Sequence, residues 1–196
     1  MGSAAALAMS LATVGETRAD QTLPDRYSIN NMPYYSQGEK TYGCGAACVR
    51  MVLAYLGYTP VPSQSAMEGE VMITPGDIPA DLMVKAFTSR GYGQVYYDEN
   101  LSIDRLKRFI FHEIPTIALG GFAGGGHLGP RGHYVVVFGY DDILKEMIVH
   151  NPNGSPDFPW GYSDFDTCWT SSNCCNHQRT GIVVPYKGTT PIPIPT

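Results

Sequence analysis

Cys44 lies between two glycines, in Tyr42-Gly43-Cys44-Gly45-Ala46-Ala47-Cys48, where a turn-prone loop gives way to a run with helical spacing. A thiol in that position has the setting of a nucleophile. Free backbone amides and the positive end of the helix dipole gather at a helix N-terminus and favour thiolate over thiol. A thiolate that attacks a carbonyl also needs a base within reach, a group that orients the base, and donors for the developing oxyanion. His133 is the candidate base, since it follows the glycine-rich stretch Gly120 to Gly132 and opens the apolar strand Tyr134-Val135-Val136-Val137-Phe138. Asn151, at the end of the next expected strand in Val149-His150-Asn151-Pro152, offers an amide oxygen to hold the imidazole in one tautomer. Gln37, seven residues upstream of Cys44, offers a side-chain amide that with the Cys44 N–H would form an oxyanion hole.

Each residue has a plainer reading. A lone cysteine beside an apolar helix is more often a small core residue. Asn-Pro commonly starts a turn, and a glutamine in a loop is commonly just solvated. His112 lies in an expected helix, and His150 should point to the strand face opposite Asn151. His127, within the glycine-rich loop, is the strongest rival of His133. For substrate contact the candidates are Gly43, Gly45, Gly132 and His127, the two glycines beside Cys44 being expected to leave room for a substrate backbone.

The elements that must position these groups follow from periodicity. From Cys44, CGAACVRMVLAYLGY places apolar residues at helical spacing on almost every side, with Arg50 its only charge and Gly57 as C-cap. That pattern predicts a buried central helix. Residues 60–70 read as a linker, 74–77 as a turn, 78–90 as a second helix and 94–97 as a short strand. Ser102 caps a third helix over 103–113, and Pro115 to Leu119 is a buried strand. Strands at 134–138 and 146–150 have hairpin character, 151–180 reads as irregular, and 182–186 is a last strand. Helices first and a meandering sheet after suit an α+β domain.

Bulk properties narrow the function. A chain of 196 residues suits one domain. A net charge of −5, with no Lys/Arg cluster, argues against nucleic acid as partner. No stretch approaches the roughly 20 apolar residues that span a bilayer. Residues 1–21 read as a signal-peptide remnant or N-terminal arm, with the apolar run Ala4 to Val14 followed by Thr17-Arg18-Ala19 as a cleavage site, so the protein is expected to be exported. The domain is then 22–188, followed by a Pro-rich tail at 189–196. The five cysteines do not fall into zinc-site spacing; Cys168 with Cys174 or Cys175 is a plausible local disulfide, and Cys48 a buried thiol. No cofactor or metal is called for.

The string MPYYSQGEKTYGCGAACVRMVLAYLGY, with Thr74-Pro75-Gly76-Asp77-Ile78, the segment Leu101 to Leu119 and Gly132-His133-Tyr134-Val135-Val136-Val137-Phe138-Gly139-Tyr140-Asp141, resembles the C39-like peptidases over residues 32–170. The resemblance implies a papain-like cysteine peptidase fold, with an N-terminal central helix packed on an antiparallel sheet. It also implies Cys44 as nucleophile, His133 as base and Gln37 as oxyanion donor, acting on a peptide or protein substrate. The family usually has Asp where this chain has Asn151, which removes a charge that would stabilise an imidazolium. Two other functions share the residues: amidase or transpeptidase-type acyl transfer, and a catalytically weak domain that binds within an extracellular assembly through its termini.

Overall fold

A computed structural model describes residues 22–39, 42–122, 128–171 and 179–195, with backbone alone at 128–131. The chain opens with a short strand, β1 (Arg26–Ser28), and then the helix that carries the thiol, α1 (Cys44–Tyr55). From Ala46 to Leu53 every residue of α1 except Arg50 has essentially no exposure. It is buried by α2 (Gln64–Val71), α3 (Ala80–Thr88) and the longest strand, β4 (Leu128–Asp141). Between them in sequence lie β2 (Tyr96–Asp98), α4 (Ile103–Phe111) and β3 (Thr116–Phe122). After β4 come β5 (Glu146–Asn151), β6 (Ser155–Gly161), α5 (Tyr162–Trp169) and β7 (Thr180–Val183), then a small hairpin of β8 (Tyr186–Lys187) and β9 (Thr190–Pro191).

The main sheet is antiparallel in the order β2-β7-β3-β4-β5-β6, and β1 pairs with the distal part of β4. Its central strand β4 carries Val135, Val136 and Val137 fully buried, as β-branched residues suit a pleated surface covered on both faces. Helix α1 lies on one side of that strand and α5 packs on β3. Among the described residues no helix is long and apolar enough to cross a membrane.

The expected α+β order is found, with several differences, one being that the stretch read as a glycine-rich loop contains the end of β3 and the start of β4. Residues read as a linker contain α2, whose N-cap Ser63 accepts from the Ala66 N–H at 3.2 Å. Only Met67, Glu68 and Val71 of this helix are buried, a stripe too narrow to register as amphipathic beside Gly69 and two glutamates. The span read as irregular contains β6 and α5. β6 escaped notice because Pro156 and Pro159 interrupt it, which an edge strand tolerates. Helix α5 buries Phe165, Cys168 and Trp169 at i, i+3 and i+4, and the Trp169 indole N–H donates to Thr180 O at 2.8 Å. Finally, the Pro-rich tail makes regular contacts with the residues just before it. Thr190 pairs with Lys187, and the Ile192 N–H donates to Pro185 O at 2.8 Å. The expected bridge from Cys168 to Cys174 or Cys175 involves residues outside those described, as does the N-terminal segment 1–21.

Candidate active site

Cys44 is the first residue of α1. Gly43, its N-cap, supplies no side-chain cap, and no acidic residue occupies the first turn, so the positive end of the helix is left to the thiol. His133 enters from β4, opposite Gly120 of β3. The two side chains are hydrogen-bonded to each other. Burial pushes the Cys44 thiol up. The hydrogen bond and charge of His133, with backbone bonds from Tyr134 and Gly45, outweigh this and hold it below its ordinary value. Burial likewise pushes His133 down, but the contact with Cys44 and the bond to Asn151 leave it above its ordinary value. Each group therefore shifts toward its charged form, as a thiolate–imidazolium pair requires.

Behind the imidazole stands Asn151, at the end of β5 and 1% exposed. Its Oδ1 lies 2.8 Å from His133 Nε2 and accepts the Asn153 N–H at 3.0 Å. That second bond fixes which way the amide faces, because an NH₂ group there would oppose the Asn153 N–H. His133 Nε2 must therefore carry a proton, and Nδ1 is left to Cys44. Asn151→Leu removes the acceptor at similar size, and kcat/KM for peptide hydrolysis is expected to fall about a hundredfold, within the range for general acid–base catalysis. Asn151→Asp keeps the acceptor and adds a negative charge that stabilises the imidazolium. It should retain activity and carry the alkaline limb of the pH–rate profile to higher pH.

The turn after Asn151 also holds the segment that brings Gln37. Pro152 O accepts the Gln37 N–H at 2.9 Å, and Asn151 O accepts the Tyr34 hydroxyl at 3.2 Å. Gln37 is 3% exposed, and its carbonyl oxygen would lie 3.4 Å from a Cβ placed on Gly43, which sets it against the Cys44 loop. His150 plays no part at the thiol. Its Nε2–H donates to Met32 O at 2.9 Å and its Nδ1 accepts the Asp157 N–H at 3.1 Å, so it is neutral and knits the lead-in segment to β5. Burial holds it below the ordinary histidine value, against the pull of Met32 O and Asp157. His112 is the C-cap of α4.

The two glycines beside Cys44 are closely packed. A Cβ on Gly43 would lie 2.7 Å from both Gln64 Nε2 and Glu68 Oε1, and one on Gly45 would lie 2.8 Å from Ile78 Cγ2. The space a Cβ would take is filled by the protein's own side chains. Gly132 is exposed beside His133. His127 lies outside the described residues. Cys48, one turn below Cys44, is fully buried, and burial with the neighbouring Cys44 charge pushes its thiol well up, against the thiolate form. Sequence reasoning missed Gln64, which donates from Nε2 to Gly43 O at 2.9 Å. The Ser63 cap, which places α2, was the available signal. A cavity of about 330 Å³ opens near this loop, walled by Tyr42, Ser65, Glu68, Met72, Ile73 and Pro75 among others.

A helix-borne thiol facing an imidazole on an antiparallel sheet, with an amide behind the imidazole, is the plan of the papain-like cysteine peptidases, and the fold is theirs. The chain belongs to the Peptidase_C39 like family, whose model matches residues 29–176, and is thereby a cysteine peptidase. Solved structures of the same fold include a Bacillus anthracis protein described as a C39-like peptidase, at 13% identity and TM-score 0.62, covering 83% of this chain and 98% of that one. Another is the double-glycine-motif protease of an AMS/PCAT transporter in complex with its leader peptide, at 20% identity and TM-score 0.54, covering 80% and 91%. A third is the peptidase domain of Streptococcus ComA, a bi-functional ABC transporter, at 18% identity and TM-score 0.54, covering 78% and 98%. No curated protein matches the sequence.

Proposed function

We propose that the protein hydrolyses peptide bonds through an acyl-enzyme on Cys44, with His133 as acid and base, Asn151 as its orienter and Gln37 as an oxyanion donor. The observation that carries this reading is the continuous relay from Asn153 N–H through Asn151 Oδ1 and the His133 ring to the thiol. In the first step the Cys44 thiolate attacks the carbonyl carbon, and the carbonyl π pair moves onto oxygen. That oxyanion meets the Cys44 N–H, free of any intrahelical acceptor at the first helical position, and the Gln37 side-chain amide. Collapse of the intermediate breaks the C–N bond, and the departing nitrogen takes the proton from His133 Nδ1. His133 then draws a proton from water, hydroxide attacks the thioester, and the carboxylic product leaves as the thiolate reforms.

The solved structure of a protease in complex with a leader peptide supports a peptide as the substrate. Export is proposed on the Ala4 to Val14 run and Thr17-Arg18-Ala19 alone, and N-terminal sequencing of the mature protein tests it. For the reaction, wild type and Cys44→Ala are incubated with a synthetic peptide library. New termini in the wild-type digest, absent with Cys44→Ala, are the expected result. Ammonia release without new termini would point to an amidase instead. A wild-type digest identical to the Cys44→Ala control would sink the hydrolase reading.

A further inference from the structure

The proposed oxyanion hole depends on one peptide plane, that between Gly43 and Cys44. In a trans peptide the C=O and N–H lie in one plane and point opposite ways. Whatever grips Gly43 O therefore sets the direction of the Cys44 N–H. Two donors grip it. One is Ala47 N–H at 3.1 Å, the first bond of α1, and the other is Gln64 Nε2 at 2.9 Å, from α2. Gln64 is itself held at both ends. Its Nε2 also donates to Glu68 Oε1 at 3.1 Å, and its Oε1 accepts from the Arg50 guanidinium at 3.1 Å.

Arg50 is in turn fixed from the other side. It donates from Nε to Pro62 O at 2.8 Å and lies over the Tyr35 ring at 4.3 Å. Tyr35 stands two residues before Gln37, the other proposed oxyanion donor. A single cation thus braces both halves of the hole, one through Gln64 and one through Tyr35. Gly43 admits the arrangement because any Cβ there would collide with Gln64 Nε2 and Glu68 Oε1 at 2.7 Å.

Building on the assignment of Cys44 as nucleophile, we infer that Gln64 is a positioning residue of the oxyanion hole: with Arg50 and Glu68 behind it, it holds the Gly43–Cys44 peptide so that the Cys44 N–H faces the carbonyl oxygen under attack. Donation into Gly43 O also polarises that peptide and strengthens its N–H as a donor. Gln64 touches no reacting atom, so its removal should affect steps that create an oxyanion and spare those that do not.

Two probes of Cys44 separate these. With p-nitrophenyl acetate the thiolate attacks the acetyl carbon, charge builds on the carbonyl oxygen, and the C–O bond to nitrophenolate breaks. With iodoacetamide the sulfur attacks a methylene carbon, iodide leaves, and no oxyanion forms. Gln64→Met, which has no donor, is expected to slow acylation about tenfold while alkylation at pH 6 stays within twofold of wild type. Gln64→Glu keeps the shape but sets a carboxylate against Gly43 O and Glu68, and should slow acylation at least as much. Unchanged acylation in both variants overturns the inference. So does an equal loss of acylation and alkylation, which would mark general damage to the site. If wild-type Cys44 alkylates no faster than in His133→Ala, the nucleophile assignment itself fails, whatever the Gln64 variants do.

Discussion

His133→Ala is expected to carry the pH at which Cys44 becomes reactive back up, to or past the ordinary thiol value of 9.0. The sign follows from the opposing influences on the thiol. Burial raises it, and the hydrogen bond and positive charge of His133 are the main forces lowering it. With His133 gone, only the Tyr134 and Gly45 backbone bonds oppose burial. In the wild type, reactivity falls on the acid side as the thiolate takes up a proton. On the proposed mechanism, peptide hydrolysis should also fall on the alkaline side, as His133, held above its ordinary value of 6.5, loses the proton that the leaving nitrogen needs. The variant should lose the alkaline limb altogether and show a single acid limb displaced to higher pH. Hydrolysis should drop about a thousandfold, in the middle of the range for losing a general acid–base. Iodoacetamide labelling of Cys44 followed from pH 4 to 10 reads the displacement directly. Superimposable wild-type and variant profiles would mean that no ion pair forms.

A large loss of stability from a single added methyl is expected at Gly120. A Cβ there would lie 2.8 Å from Cys168 O and 2.9 Å from both Trp169 Cα and Phe122 Cε2. Two of these three atoms belong to the α5 backbone, which has little freedom to retreat. Phe165 and Trp169 of that helix have no exposure, and the Trp169 indole is tied to Thr180 O. Gly120→Ala should therefore cost about 3 kcal/mol, the upper part of the range for overpacking, read as a lower urea midpoint at unchanged slope. The matched control is Gly69→Ala in α2, at an exposed helical position where a Cβ meets nothing within 4 Å. It should stabilise by about 0.5–1 kcal/mol. If both variants unfold at the wild-type midpoint, α5 is not packed against β3 as closely as described.

What was legible in the sequence divides along physical lines. Helix α1, the first part of β3 and the Tyr134–Phe138 part of β4 were readable because each is buried and mainly apolar, whereas the part of β4 before Tyr134 reads as a glycine-rich loop. Two of the helix limits moved inward for local reasons. Pro79 is extended at the N-cap of α3, and Glu113 adopts a positive φ of 63° just past α4. α2, β6 and α5 were not readable, because each buries only a narrow stripe and the rest of each is polar or proline-broken. Cys44, His133 and Asn151 were placed by the elements that carry them. That Asn151 Oδ1 faces the ring, and not its NH₂, depends on the Asn153 N–H, a turn detail without a periodic signal. Gln64 escaped for a stronger reason. Its importance lies in a contact across 21 residues to a backbone oxygen, and no side-chain pattern encodes that. The internal groups that crowd the glycines around Cys44 come from α2 and the segment after it, and no local pattern announces them.

The turn from Asn151 to Gly154 receives the chain's early segment, through a bond between Tyr34 and Asn151 that spans 117 positions. The Gly154 N–H donates to the same Tyr34 hydroxyl at 3.1 Å. A chain emerging from the ribosome thus presents Cys44 early and His133 much later. It cannot fix the imidazole tautomer, or draw Gln37 into place through Pro152, until the second half of the sheet has been made. On the proposed mechanism, a chain that ends before β5 holds the thiol but not the amide behind its base, so competence to cut requires residues well beyond Cys44 and His133.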